Sequence, residues 1–297
     1  MRLVAAADIG GTRTKLGIVG ESGEVLRRTT ISTPRLGEPR DLVAGISSML
    51  TRMVDAVDAP VAGVGVSVAG FLDAEREAMV GNANLPALCE FPLRRALADA
   101  LGLDCRLEVD SNAAGIAEYR LGAGRGARRL LSVTVGTGLG GAVIVDGVLL
   151  RYTGACAGDL GHVIVDRDGR RCSCGARGCL EAMVSSSALS ERAGGLPVRE
   201  VIGRARAHDS PALGALEETG WWLGLGLASL SPLFAPDRIV VGGGVAAAGD
   251  LLLGATRASY REHAAADHRD RVEIVSSNFE GWDGMIGAAS AFLQPIE

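Results

Sequence analysis

Leu3-Val4-Ala5-Ala6-Ala7-Asp8-Ile9-Gly10-Gly11-Thr12-Arg13-Thr14-Lys15-Leu16-Gly17-Ile18-Val19 reads as a strand, a glycine turn and a second strand. Leu3–Ala7 is short and apolar, and Lys15–Val19 resumes the apolar pattern after Gly10-Gly11. An acid at the end of a buried strand, followed by two glycines and a hydroxyl, leaves backbone N–H groups to face phosphate oxygens. Asp8 is then placed to hold Mg²⁺, directly or through water. An ordinary hairpin turn has the same composition, and both readings stand on this stretch alone. The pattern recurs where Leu130–Val135 and Ala142–Val145 flank Gly136-Thr137-Gly138-Leu139-Gly140-Gly141. Glycines there remove side chains where a polyphosphate would approach closely. Two such halves facing one another would frame a cleft between two domains.

Working outward, Val25–Ile31 continues the first half as a strand. Leu42, Ile46, Met49, Leu50, Met53 and Val57 recur at helical spacing. Val61–Val66 reads as a buried strand, Phe91–Leu101 as an amphipathic helix, and Arg106–Val109 as a strand leading into a helix from Ser111 to about Leu121. In the second half Asp146-Gly147 signals a hairpin. Ile239–Val241 is a strand before Gly242-Gly243-Gly244, where an adenosine could lie against bare backbone or where two elements simply pack closely.

The chain has 297 residues, 47% of them hydrophobic, which suits two domains better than one. Aromatics are only 4%, so the core must be built from Ala, Val, Leu and Ile. The net charge of -5 gives no electrostatic reason to bind nucleic acid or an anionic membrane. The uncharged stretch Leu130–Val145 is broken by glycines and is not a membrane span. The N-terminal apolar run is too short for a signal core, so cytoplasm is the expected compartment and reduced thiols are expected.

His162, Cys172, Cys174 and Cys179 lie in one short segment with Gly175 and Gly178 among them. One imidazole and three thiolates form a closed tetrahedral set for Zn²⁺ with no position left for catalytic water, so the ion would be structural. Asp110 sits between the strand Arg106–Val109 and the helix from about Asn112, an N-cap position. A capping carboxylate is one reading. The other is a base kept ionised by the helix dipole and accepting a hydroxyl proton.

Together these residues resemble the ROK family, named for its repressors, open reading frames and kinases, and in particular its glucokinase-like members. Asp8–Thr12, Gly136–Gly141, the Gly158–His162 segment, Cys172–Glu181 and Gly242–Gly244 occur in the family's order. The resemblance implies an α/β, actin-like, hexokinase-type ATPase fold (ribonuclease H-like) of two domains. The expected division is 1–112 with about 284–297 in the smaller, and 113–283 in the larger, which carries the zinc loop. It implies transfer of the γ-phosphoryl of ATP to a sugar hydroxyl, usually on C6 of a hexose, with Mg²⁺, and a homodimer.

By position Asp110 matches the family's catalytic aspartate. Gly70, Asn84, Asn112, Asp159, His162 and Glu181 fall at or beside sugar-contacting positions. Asp8, Gly10, Gly11, Thr12, Thr137 and Gly138 match the phosphate turns, and Gly243 the adenosine side. His162 matches both a zinc ligand and a wall of the sugar site.

Two positions depart from the family pattern, both on the sugar side. Val109 stands where Asn usually precedes the catalytic Asp, and Asp159 where Glu is usual. Val109 offers no side-chain hydrogen bond, and an unmatched buried hydroxyl costs about 1–3 kcal/mol. An acceptor other than glucose, such as the amino sugar kanosamine, a deoxy sugar or a cyclitol, fits that change; drift with glucose retained fits it too. Rival functions are a polyphosphate-dependent glucokinase and a sugar-responsive regulator or binding protein without catalysis. Family repressors carry a DNA-binding domain ahead of the phosphate motif, and the short stretch before Asp8 leads us not to expect one.

Overall fold

A computed structural model of the chain describes residues 2–34, 37–81, 85–151 and 159–294. The chain divides into two units, one of Met1–Leu121, Val148–Ala157 and Trp282–Glu297, the other of Gly122–Gly147 and Gly158–Gly281.

In the first unit β1 (Leu3–Ile9), β2 (Arg13–Gly20) and β3 (Val25–Ser32) form an antiparallel meander. Helix α1 (Pro39–Val54) follows, with Pro39 at the first helical position, where the missing N–H costs nothing. It buries Leu42, Val43, Ile46, Leu50 and Met53 on one face, each fully buried Leu or Ile contributing roughly 1.5–3 kcal/mol. Val57, expected on this helix, lies beyond its end at Val54, where Asp55 caps it ahead of Pro60. Strand β4 (Val61–Val68) joins β1 in parallel. The short β5 (Phe71–Leu72) and β6 (Met79–Gly81) form a separate hairpin, and α2 (Leu93–Leu101) ends on Gly102 in the left-handed conformation. Strand β7 (Cys105–Val109) pairs with β4 and passes straight into α3 (Asp110–Leu121). The sheet order is β3-β2-β1-β4-β7.

The second unit repeats the scheme. Strands β8 (Arg129–Val135) and β9 (Leu139–Val145) are antiparallel across the second glycine turn, and β10 (Val148–Leu149), which belongs to the first unit, follows in the chain. The helices α4 (Leu180–Val184), α5 (Ser186–Arg192), α6 (Val198–Arg206) and α7 (Ser210–Phe234) lead to β11 (Arg238–Gly242), parallel to β8. Helices α8 (Asp250–His263) and α9 (Ala266–Arg269) precede β12 (Glu273–Ser276), parallel to β11, so this unit's own strands follow the order β9-β8-β11-β12. Helix α7 lies close on α8 because Gly220 and Gly224 present bare backbone to Leu252 and Thr256.

Helix α10 (Asp283–Leu293) returns to the first unit and packs on α3, β4 and β1. It is small-sided for a reason: a Cβ on Gly287 would strike the Ala113 carbonyl, and one on Gly284 would stand 2.8 Å from Asp8 Oδ1. The first unit therefore holds α3 whole, with the Asp110 end of α3, the end of β1 and the start of α10 brought together.

Candidate active site

The ends of β1, β4 and β7 carry the first unit's chemistry. Antiparallel register sets Asp8 opposite Lys15, and the Lys15 Nζ donates to Asp8 Oδ2 at 3.0 Å. Ser67 on β4, in parallel register with Asp8, donates its hydroxyl to Asp8 Oδ1 at 2.9 Å. Lys15, at the start of the second strand's apolar run, thus holds Asp8. In the turn that follows, Gly10 spends its N–H on the Arg13 carbonyl at 3.1 Å. Of the three N–H groups expected to face phosphate, that leaves those of Gly11 and Thr12 without a backbone acceptor among the described residues.

Asp110 opens α3 rather than capping a helix that starts at Asn112, and its Oδ1 accepts from the Ser111 N–H at 2.7 Å. The residue is half-buried, so part of it remains accessible. Its carboxyl is pushed up to about 7, first by burial and next by the nearby Asp8 carboxylate; the Ser111 N–H opposes, Asp283 adds to the rise and Lys15 offsets a little. The expectation of a base kept ionised by the helix dipole is therefore corrected: desolvation and a like charge outweigh the helix end.

Asp283, which the sequence reading did not single out, opens α10 and is buried. Burial and then Asp8 raise its carboxyl, while Lys15 opposes. Three carboxylates thus surround one ammonium. That donor set has an excess of negative charge and suits a divalent cation.

Among the residues expected on the sugar side, Asn112 is buried on α3 and donates its Nδ2 to Glu108 Oε1 at 3.1 Å. Gly70 follows β4 with φ of +119°, a conformation open to glycine. Asn84, and Gly158 of the Gly158–His162 segment, lie outside the described residues.

In the second unit the Gly136–Leu139 turn is closed by the Gly136 N–H on the Gly138 carbonyl at 2.8 Å. Glu181, on the first turn of α4, sits against it: Oε2 accepts from the Leu139 N–H at 2.9 Å and Oε1 from the Ser173 hydroxyl at 3.1 Å. A Cβ on Gly138 would stand 2.5 Å from Glu181 Oε2. The structure therefore places Glu181 against the turn that bears Thr137 and Gly138. Gly243, just after β11, has φ of +89°, and any side chain there would strike Val135 backbone.

His162, Cys172, Cys174 and Cys179 converge with all four ligand atoms within 4.8 Å of one another. Cys174 Sγ and Cys179 Sγ are 3.6 Å apart, and Cys172 Sγ lies 3.5 Å from His162 Nδ1. These spacings match the edges of a tetrahedron around Zn²⁺, whose bonds are about 2.0–2.3 Å. Gly178 must be glycine, since a Cβ would collide with Asp166 backbone at φ of +75°. Asp159 Oδ1 stands 3.6 Å from His162 Nε2, the placement by which a carboxylate orients a metal-bound imidazole.

The family model described as ROK family matches residues 4–294. The chain belongs to the ROK family. It is 31% identical to a glucokinase of Streptomyces coelicolor, covering 99% of both chains. It is 29% identical to an N-acetylmannosamine kinase of Yersinia pestis, covering 96% of both. The crystal structure of a ROK family glucokinase from Streptomyces griseus in complex with glucose and AMPPNP aligns with a TM-score of 0.87 at 31% identity, covering 97% of this chain and 98% of that one. The α/β architecture is that of these two-domain kinases. Among the described residues no helix is long and apolar enough to cross a membrane.

Proposed function

We propose that the protein is an ATP-dependent sugar kinase that transfers the γ-phosphoryl to a hydroxyl, the C6 hydroxyl in our reading, of a hexose or hexose-like sugar. The observation that carries this is Asp110: a half-buried carboxyl at the β7–α3 junction, beside Asp8 and Lys15, whose proton affinity has been brought to about neutrality. A base matched to its operating pH accepts a hydroxyl proton best, contributing roughly 10²–10⁴-fold.

Asp110 takes the proton of the acceptor hydroxyl while the oxygen of that hydroxyl bonds to the γ-phosphorus. The bond from that phosphorus to the β,γ-bridging oxygen breaks, and ADP leaves with the electron pair. Little covalent work falls to the protein, so alignment dominates. The Gly11 and Thr12 N–H groups and the Thr137–Gly138 turn are the phosphate donors, and bare Gly243 the adenosine wall. Asp8, held by Ser67 and Lys15 and joined by Asp283, would hold Mg²⁺, which neutralises phosphate charge when bound. His162, Cys172, Cys174 and Cys179 would hold a Zn²⁺ ion, which would tie down the loop ahead of α4 and leave no open position for catalysis. A homodimer in the cytoplasm completes the reading.

Asn112, Asp159, His162 and Gly70 are the sugar contacts we assign. Val109 and Asp159 fit an acceptor other than plain glucose, kanosamine being one, and fit drift with glucose retained equally well. A panel of hexoses, amino sugars, deoxy sugars and cyclitols, run with ATP and with polyphosphate and read by product formation, tests both donor and acceptor. Highest kcat/KM for glucose would remove the altered-acceptor reading; polyphosphate outrunning ATP would replace the donor.

A further inference from the structure

Glu108, the fourth residue of β7, takes no part in the chemistry above, yet four donors converge on its buried carboxylate. Oε1 accepts from the Val109 N–H at 3.0 Å and from Asn112 Nδ2 at 3.1 Å. Oε2 pairs with Arg76 Nη1 at 3.4 Å and, more closely, with Arg151. A carboxylate set between two guanidiniums offers lone pairs only. Asn112 must therefore present its NH₂ group to it, because a turned amide would set oxygen against oxygen. The amide is held one way round, with Oδ1 left over as an acceptor.

The arginine side of this arrangement is built at a cost. Arg76 holds φ at +55°, a region unfavourable for any residue with a Cβ. The turn is fastened around it: Asp73 accepts from the Glu77 N–H at 2.7 Å and the Ala78 N–H at 3.2 Å, and its carbonyl from the Arg76 N–H at 3.1 Å. A strained residue so braced, with its guanidinium on a carboxylate that is only 4% exposed, points to a requirement for that ion pair.

We propose that Glu108 is a positioning residue for the kinase reaction. It locks the Asn112 amide so that Oδ1 is the group offered to the sugar, and it holds the Val109–Asn112 turn on which Asp110 sits. This rests on the kinase reading and deepens it: the sugar position facing Asn112 must carry a donor, a hydroxyl or an ammonium. A fluoro or keto analogue at that position, which can only accept, is rejected.

The test is sugar affinity by calorimetry together with steady-state kinetics on wild type, Glu108→Gln, Asn112→Ala and the double variant. Glutamine can turn its own NH₂ toward Asn112 and so unlocks the amide. Sugar Kd and KM are expected to rise about tenfold or more in each single variant, KM for ATP to stay within about twofold, and the double variant to be no worse than the singles. Multiplying losses, an equal rise in KM for ATP, or unchanged sugar affinity overturns the proposal. Should Glu108→Gln not fold, Arg76→Gln removes one guanidinium at the exposed side and is expected to raise sugar Kd about two- to fivefold; no change there overturns it as well. Calorimetry reads the positioning claim even in a protein that turns nothing over, so the two claims fail separately. Failure of every sugar to bind overturns both.

Discussion

Replacing Asp110 with Asn should stabilise the fold above neutral pH while removing most turnover. In the unfolded chain this carboxyl titrates near 3.8, and in the folded protein at about 7. The native state therefore holds the proton more tightly, and ionising Asp110 costs folding free energy. That cost is absent below 3.8, grows as the pH rises toward 7, and is constant above. At about 1.4 kcal/mol per pH unit it amounts to about 4 kcal/mol, an upper bound because the residue is only half-buried. Asparagine carries no such cost and keeps an Oδ1 to accept the Ser111 N–H. Urea unfolding of both proteins from about pH 4 to about pH 8.5, which spans the two titrations, without nucleotide or added Mg²⁺, measures the difference. The variant should gain on the wild type progressively, reaching roughly 2–4 kcal/mol near pH 8. A difference that is flat with pH, or a variant that loses ground as pH rises, would refute the claim that burial and Asp8 raise this group.

Three further outcomes follow from the same geometry. Purified protein should contain one Zn²⁺ per chain, and Cys174→Ser should lose it together with several kcal/mol of stability, on the order of a structural zinc ligand's worth; full metal content in that variant by elemental analysis would remove Cys174 from the ligand set. Gly138→Ala should displace Glu181 from the Leu139 N–H and raise KM for ATP about tenfold with little change in melting temperature, since its Cβ would stand 2.5 Å from Glu181 Oε2; an unaltered KM would mean that the turn does not bind nucleotide. In the wild type kcat/KM for the sugar should fall as pH drops below about 7, because the free enzyme then holds Asp110 protonated; a profile flat down to pH about 5 would contradict it.

Much of this site is local in sequence and was therefore legible. The zinc set lies within Cys172–Cys179 plus His162, and Asp8 with Lys15 is one hairpin, so spacing alone brings each together. The β1–β2 and β8–β9 hairpins announced themselves by apolar runs broken at glycines. What the sequence hid depends on packing between distant segments. Asp283 matters because glycines let α10 approach Asp8, and nothing within α10 says so. Glu108 looks like one more strand residue until Arg76 and Arg151 arrive from elsewhere in the chain. Asp110 was found by its place between strand and helix, but its proton affinity was misjudged: the helix end is a local feature, whereas burial and the Asp8 charge belong to the assembled fold.

The central claim is that Asp110 draws the proton from a sugar hydroxyl. Its most direct test is sugar-dependent ADP formation by wild type and Asp110→Asn, each shown beforehand to be folded and to retain zinc. The account predicts robust turnover in the first and a loss of roughly 10²–10⁴-fold in kcat in the second, with KM values little changed. Near-normal kcat in the variant would contradict it.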